Sequence, residues 1–231
     1  MIMRNILLLA LFSSFFMVNG QEFEDFKKGR NYFVAGYGAL SVNPLKNNGG
    51  IAGGIYGNVY LNSIVGAQVQ KSTIGPFQLV YERGITDVLG VGRIGVGATL
   101  THAFYSYKIR DSYWATIYNN DQVSESKKTR IGVMGRGAYH FEFNVPKLDF
   151  YTGIGLGVYI DSDKLTEYDY NVYNSSTGQY QDVVIESEGS SVNPAFAIFA
   201  GVRYYVKKRL GFYLELGYGP SIMNGGVVLA L

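Results

Sequence analysis

Eight charged residues recur where strand-like alternation turns them to the same side as small residues: Arg93, Arg130, Arg136 and Arg203 against Glu82, Glu142, Asp149 and Glu215. Four positive charges thus face four negative ones. An unpaired charge enclosed in a narrow interior is costly, so the set predicts paired, hydrogen-bonded networks. His140 shares a side with Glu142 and joins the same polar set. The chemistry on offer is ion pairing that fixes register and fills an interior. A gate that opens when pairs exchange is the sharper use of the same residues.

His102 and Ser106 lie on the opposite, apolar side of one of these segments. A nucleophilic serine needs a histidine base within hydrogen-bond reach and an acid to orient that base. Four residues of strand would hold this pair about 13 Å apart, and no acid shares their side. No catalytic residue is therefore expected. The two histidines fall on separate segments and there is no Cys, so neither a metal site nor a disulfide framework is expected. No cofactor is expected either: there is no P-loop, and the G-x-G pairs sit inside alternating segments.

A further stretch is acidic and rich in tyrosine. Asp161, Asp163, Glu167, Asp169, Asp182, Glu186 and Glu188 are opposed by Lys164, with Tyr168, Tyr170, Tyr173 and Tyr180 among them. It reads as a solvated loop, with divalent-cation binding or contact with lipopolysaccharide or a protein as sharper readings. Asp161-Ser162-Asp163 lacks the ligand spacing of an EF-hand loop. Another stretch mixes Arg110, Lys127 and Lys128 with Asp111, Asp121, Glu125 and the sole Trp114, a surface able to anchor an unidentified partner.

The elements that must position these residues are strands. From about residue 30 the text alternates with period 2 and is dense in Gly-aromatic pairs. Eight strands are predicted, over 31–41, 76–85, 90–107, 128–143, 148–160, 191–206, 210–219 and 223–231. The links after the second, fourth and sixth are short turns, at 86–89, 144–147 and 207–209. Those after the first, third and fifth are long, at 42–75, 108–127 and 161–190, while Pro220-Ser221-Ile222 is a short fourth link. Sorting short turns to one end and long loops to the other is the layout of an outer-membrane barrel. The polar sides carry Gly, Ala, Ser and Thr with isolated ions rather than many Lys, which suits a crowded barrel interior. Aromatics gather at both ends of the strands, as interfacial girdles do.

Composition agrees. Lys+Arg number 20 against 18 Asp+Glu, which argues against nucleic-acid partners. Only 16% of residues are charged, below the about 25% of typical soluble domains. Arg4 followed by the apolar run Ile6 to Val18 and then Val18-Asn19-Gly20 reads as a cleaved export signal over 1–20, with Gln21 as the mature start. Residues 21–30 are then a short periplasmic segment and 31–231 the barrel.

The segments Phe77 to Gly92 (FQLVYERGITDVLGVG), Asp149 to Gly157 (DFYTGIGLG) and Leu210 to Gly219 (LGFYLELGYG) resemble the outer-membrane β-barrel domain family, the porin-like small barrels akin to OmpA and OmpX. Where such barrels often end in an aromatic residue, Leu231 stands here. The resemblance implies an all-β, eight-stranded antiparallel up-and-down transmembrane β-barrel in the outer membrane. It implies outer-membrane lipid, lipopolysaccharide and the barrel-assembly machinery as partners, with a structural or surface-interaction role. A small or gated channel, a lipid A-modifying enzyme, an accessory barrel of a secretion machine and a secreted soluble β-protein are the alternatives.

Overall fold

The period-2 segments form the strands. The computed structural model describes residues 26–41, 67–111, 122–143, 145–174 and 176–231. The expected export signal, residues 21–25, residues 42–66 of the first loop and Trp114 lie outside the described residues. The strands are β1 (Asn31–Ser41), β2 (Ala67–Gly84), β3 (Gly92–Asp111), β4 (Gln122–Phe141), β5 (Leu148–Asn174), β6 (Gln179–Tyr205), β7 (Leu210–Tyr218) and β8 (Ser221–Ala230). Each pairs with its chain neighbours, and β1 pairs antiparallel with β8, which closes an all-β, eight-stranded, antiparallel up-and-down barrel.

Alternation assigns the two sides. On β4, Ile131 and Val133 face outward and are exposed, while Met134, Arg136, Ala138 and His140 are buried inside. On β7, Leu210, Phe212, Leu214 and Leu216 face outward around buried Tyr213 and Glu215. The exposed apolar side chains therefore girdle the barrel, and its interior holds the polar and ionic ones.

A ring of eight strands leaves room for side chains and little else. The interior accordingly places glycine where rings approach. A Cβ on Gly153 would lie 2.5 Å from the Phe199 ring, and one on Gly201 would lie 2.5 Å from the Tyr151 ring. On β2 the register shifts between Ile74 and Phe77, so that both of these side chains face outward. Gly75 makes that bulge with φ +94, a conformation that side-chain-bearing residues rarely adopt.

Six strands run further than the alternation indicates, β8 by starting at 221 rather than 223. β2 begins at 67 rather than 76, β3 ends at 111 rather than 107, and β4 begins at 122 rather than 128. β5 continues to 174 and β6 starts at 179, so the expected loop 161–190 is a long hairpin with its tip near 176–178. The physical reason is that the extensions pass beyond the apolar period: β6 is almost wholly exposed from Gln179 to Pro194, and buried positions such as Val123, Asp161 and Thr166 are too scattered to alternate. Backbone pairing holds them without any apolar period to read. The registers of β1 and β8, poorly marked in the sequence, are fixed by pairing, Val34 opposite Val80 on one side and Val228 on the other.

Replacing Gly201 by Leu should force the Tyr151 ring out of place. The expected loss is about 1–3 kcal/mol, read as a lower urea midpoint for unfolding in detergent micelles. An unchanged midpoint would show that the interior has slack at this layer.

Candidate functional site

The interior ions form three groups along the barrel. The central one joins Glu82 on β2, Arg136 and His140 on β4, Asp149 on β5, Arg203 on β6 and Glu215 on β7, all buried. Glu82 accepts hydrogen bonds from Arg136 Nε at 3.1 Å, Arg203 Nη2 at 3.2 Å and His140 Nε2 at 2.6 Å. Asp149 faces His140 Nδ1 at 2.8 Å and Arg203 Nη1 at 3.4 Å. Glu215 accepts from Arg136 Nη2 at 2.7 Å and from the Tyr151 hydroxyl at 3.2 Å.

His140 bridges two carboxyl groups. Both ring nitrogens of His140 point at carboxylate oxygens. With Glu82 and Asp149 ionised, both nitrogens must carry hydrogen, and the ring is an imidazolium. Two guanidiniums and this ring then balance the three carboxylates, so the buried group is neutral as a whole. Aromatic faces complete its shell. Arg136 lies 3.8 Å over the Phe199 ring, and Arg203 lies 4.7 Å over that of Tyr151. Such contacts suit a weakly hydrated guanidinium better than an ammonium.

Phe26 covers this group from the end where the short turns lie. Its ring stacks on His140 with centroids 3.5 Å apart and planes 2° apart, and on Tyr32 at 4.7 Å. Arg93 Nη1 donates to the Phe26 carbonyl at 2.7 Å, the Lys27 amide donates to the Tyr32 hydroxyl at 2.9 Å, and Gly29 N–H donates to Gly84 O at 2.8 Å. Residues 26–29 thus fold back into the mouth, a role the sequence reading missed. Its only trace in the sequence is a pair of phenylalanines, Phe23 and Phe26, among charged residues ahead of β1. At the same mouth Arg93 pairs with Glu142 at 2.6 Å, apart from the central group.

The third group lies toward the hairpin end and corrects the sequence reading of Asp161. Expected on a surface loop, Asp161 is buried on β5 and receives both Arg130 Nε and Nη2 at 2.6 Å. Asn193 Nδ2 donates to it at 3.2 Å, and Lys128 lies 3.8 Å from it and 3.2 Å from Asp163. The reason is register: Arg130 pairs directly with Asp161 across β4 and β5. Glu167, Tyr168, Asp169, Tyr170 and Tyr173 also belong to β5, so these residues lie on a strand rather than a loop. Lys164 bonds Glu186 at 3.0 Å and Glu188 at 3.3 Å, which raises its pKa. At the other end a hydrogen bond from Lys28 at 2.6 Å holds the Asp87 carboxyl below its usual range.

Space inside is small. One cavity of about 20 Å³ lies beside Gln78, Thr99, Met134, Arg136 and Asn224, and another of about 20 Å³ beside Phe26, Arg93 and His140. Each has room for about one water. His102 faces outward, paired with Phe77 and Ile131, and Ser106 pairs with Ser72 and Lys127. No acid is a register neighbour of either. Among the described residues, no group of three or more His, Asp or Glu side chains is placed to hold a metal ion.

No family model matches the chain, and no curated protein matches it. Among solved structures it is similar to Ail, the attachment invasion locus protein of Yersinia pestis, at 11% identity over 88% of this chain and 97% of that one, with a TM-score of 0.33. Ail in complex with the heparin analogue sucrose octasulfate gives 11% identity over 88% and 96%, with a TM-score of 0.31. At these scores the likeness carries no argument, and the barrel stands on its own strand pairing.

Replacing Glu82 by Gln removes the carboxylate that three cations share. The expected cost is about 3–5 kcal/mol, because the partners stay buried without their counter-charge. Replacing Lys28 by Gln, which breaks the exposed pair with Asp87, should leave the unfolding midpoint nearly unchanged. Equilibrium unfolding in micelles measures both, and equal losses would show that the central group has no special place in the barrel.

Proposed function

We propose that the chain is an integral outer-membrane barrel whose interior is closed by its own side chains and whose strand extensions form a surface for interaction outside the cell. The apolar belt carries this reading. Ile131 to Phe141 on β4 pair residue for residue with Ile160 to Phe150 on β5, and the outward side chains between these limits are apolar or glycine, with Thr152 the exception. Ten residue steps at ~3.3 Å, tilted by ~40°, give a band about 25 Å tall. That is the height of a bacterial outer membrane's apolar layer. Rings mark the turn-end edge: Phe33, Tyr81, Phe141, Phe143 and Phe150.

The interior supports a plug rather than a channel, since its ions are paired and two interior cavities are each of about 20 Å³. A ring packed in this way can anchor and present but has little room to conduct. Beyond the belt, β2 to β6 continue as a sheet. β7 pairs with β6 only from Ile198 onward, so among the described residues nothing pairs with the outer edge of β6 from Gln179 to Ala197. An open edge can accept a partner's extended strand. Outer-membrane lipid and lipopolysaccharide would surround the belt, the barrel-assembly machinery would insert it, and the sheet would meet a surface partner.

Two measurements test this. The outer-membrane fraction should contain a protein that migrates faster before boiling than after it, and planar bilayers holding it should show no defined conductance step. A regular step would favour the channel, and recovery in a soluble fraction would end the membrane reading. An epitope inserted between Thr177 and Gly178 should bind antibody on intact cells, whereas one inserted between Lys208 and Arg209 should do so only after permeabilisation. The reverse pattern would invert the barrel.

A further inference from the structure

The outer face is not uniform. Near the seam where β1 meets β8, two outward positions carry only methyl groups, Ala35 on β1 and Ala98 on β3. Larger side chains stand around them, Phe33, Leu79, Leu210 and Leu229 among them, and together they bound a groove of about 450 Å³. That size falls within the about 300–1,000 Å³ of small-ligand sites.

At the turn end of this groove the chemistry changes. Arg83 follows Tyr81 by two residues on β2, which puts it on the same outward side, and it is exposed. Lys207, Lys208 and Arg209 form the exposed turn that leads directly into Leu210. Pairing brings both cationic places to the same end. Arg83 lies opposite Asn31, two residues from Phe33, and the Arg209 carbonyl accepts from the N–H of Ala230, next to Leu229. The nearby acid, Asp87, is engaged by Lys28 at 2.6 Å.

We infer that this groove and its cationic rim form a binding site for an anionic phospholipid of the periplasmic leaflet. An acyl chain lies in the groove, and the headgroup phosphate meets the rim at Arg83 or at Arg209, which stand three strand spacings apart. The inference rests on the outer-membrane reading, which puts the short turns at the periplasmic side. Guanidinium forks match phosphate oxygens in pairs. A zwitterionic headgroup brings its own cation against the same rim, whereas phosphatidylglycerol brings none, so charge complementarity selects the anionic lipid.

The test is lipid retention. The protein is reconstituted in vesicles of equal phosphatidylcholine and phosphatidylglycerol, extracted in mild detergent, and its bound lipids are counted by native mass spectrometry. The protein should keep phosphatidylglycerol several-fold over phosphatidylcholine. Arg83→Gln combined with Arg209→Gln should reduce that ratio to about one. Ala98→Phe, which fills the groove from outside, should lower retention of both lipids. Equal retention by the unaltered protein, or an unchanged ratio in the double variant, overturns the inference. Migration before and after boiling is read on the same samples. A heat shift without lipid preference sinks only the lipid site, and loss of the shift in the unaltered protein sinks the outer-membrane reading with it.

Discussion

Ring closure by β1 and β8 is the constraint on which the rest of the structure depends. Within the belt it gives each strand a hydrogen-bonding neighbour on both sides, so no row of backbone groups is left at an open edge. In a lipid environment this is one of the few ways a chain can cross at all. Closure with eight strands also sets the bore. The bore is narrow, and glycines such as Gly153 and Gly201 must stand where Phe199 and Tyr151 fill it.

The bore's contents follow from a second requirement, that each strand distinguish its two sides. Slipping a strand by one residue exchanges inside and outside. Were both sides apolar, such a slip would cost little. Glu82 addresses His140 and Arg136 on one strand and Arg203 on another, and Glu215 addresses Arg136 from a third. A slipped strand would leave these charges unpaired and turn them to the outer, apolar side. Buried ion pairs are weak contributors to stability compared with well-packed apolar residues. Here each pair joins different strands, so it forms in one register only.

Beyond the belt β6 is exposed along most of its length, and among the described residues no strand pairs with its outer edge. The free edge of β6 carries Asp182, Glu186 and Glu188 along its length, and Pro194 near the point where β7 takes over pairing. Charges and proline on an edge discourage uncontrolled strand addition. The exposed Val184 and Ile185 between the acids keep some adhesive character. Like charges on a second identical edge would repel it.

Composition, alternation and the sorting of turn lengths by themselves determined a closed eight-stranded barrel, the outward and inward sides of most strands, and the residue types of the interior. They did so because a strand with apolar surroundings on one side and a crowded bore on the other must alternate. What only the tertiary structure decided is which charge meets which. Pairing across β4 and β5 turned Asp161 from a surface acid into the buried partner of Arg130, and divided the eight expected ions among three groups. Phe26 could not be read, because its stacking on His140 joins a residue ahead of the first strand to one in the fourth. Nor could the strand ends, since the extensions of β5 and β6 are held by cross-strand hydrogen bonds and by pairs such as Lys164 with Glu186, which leave no period in the side chains.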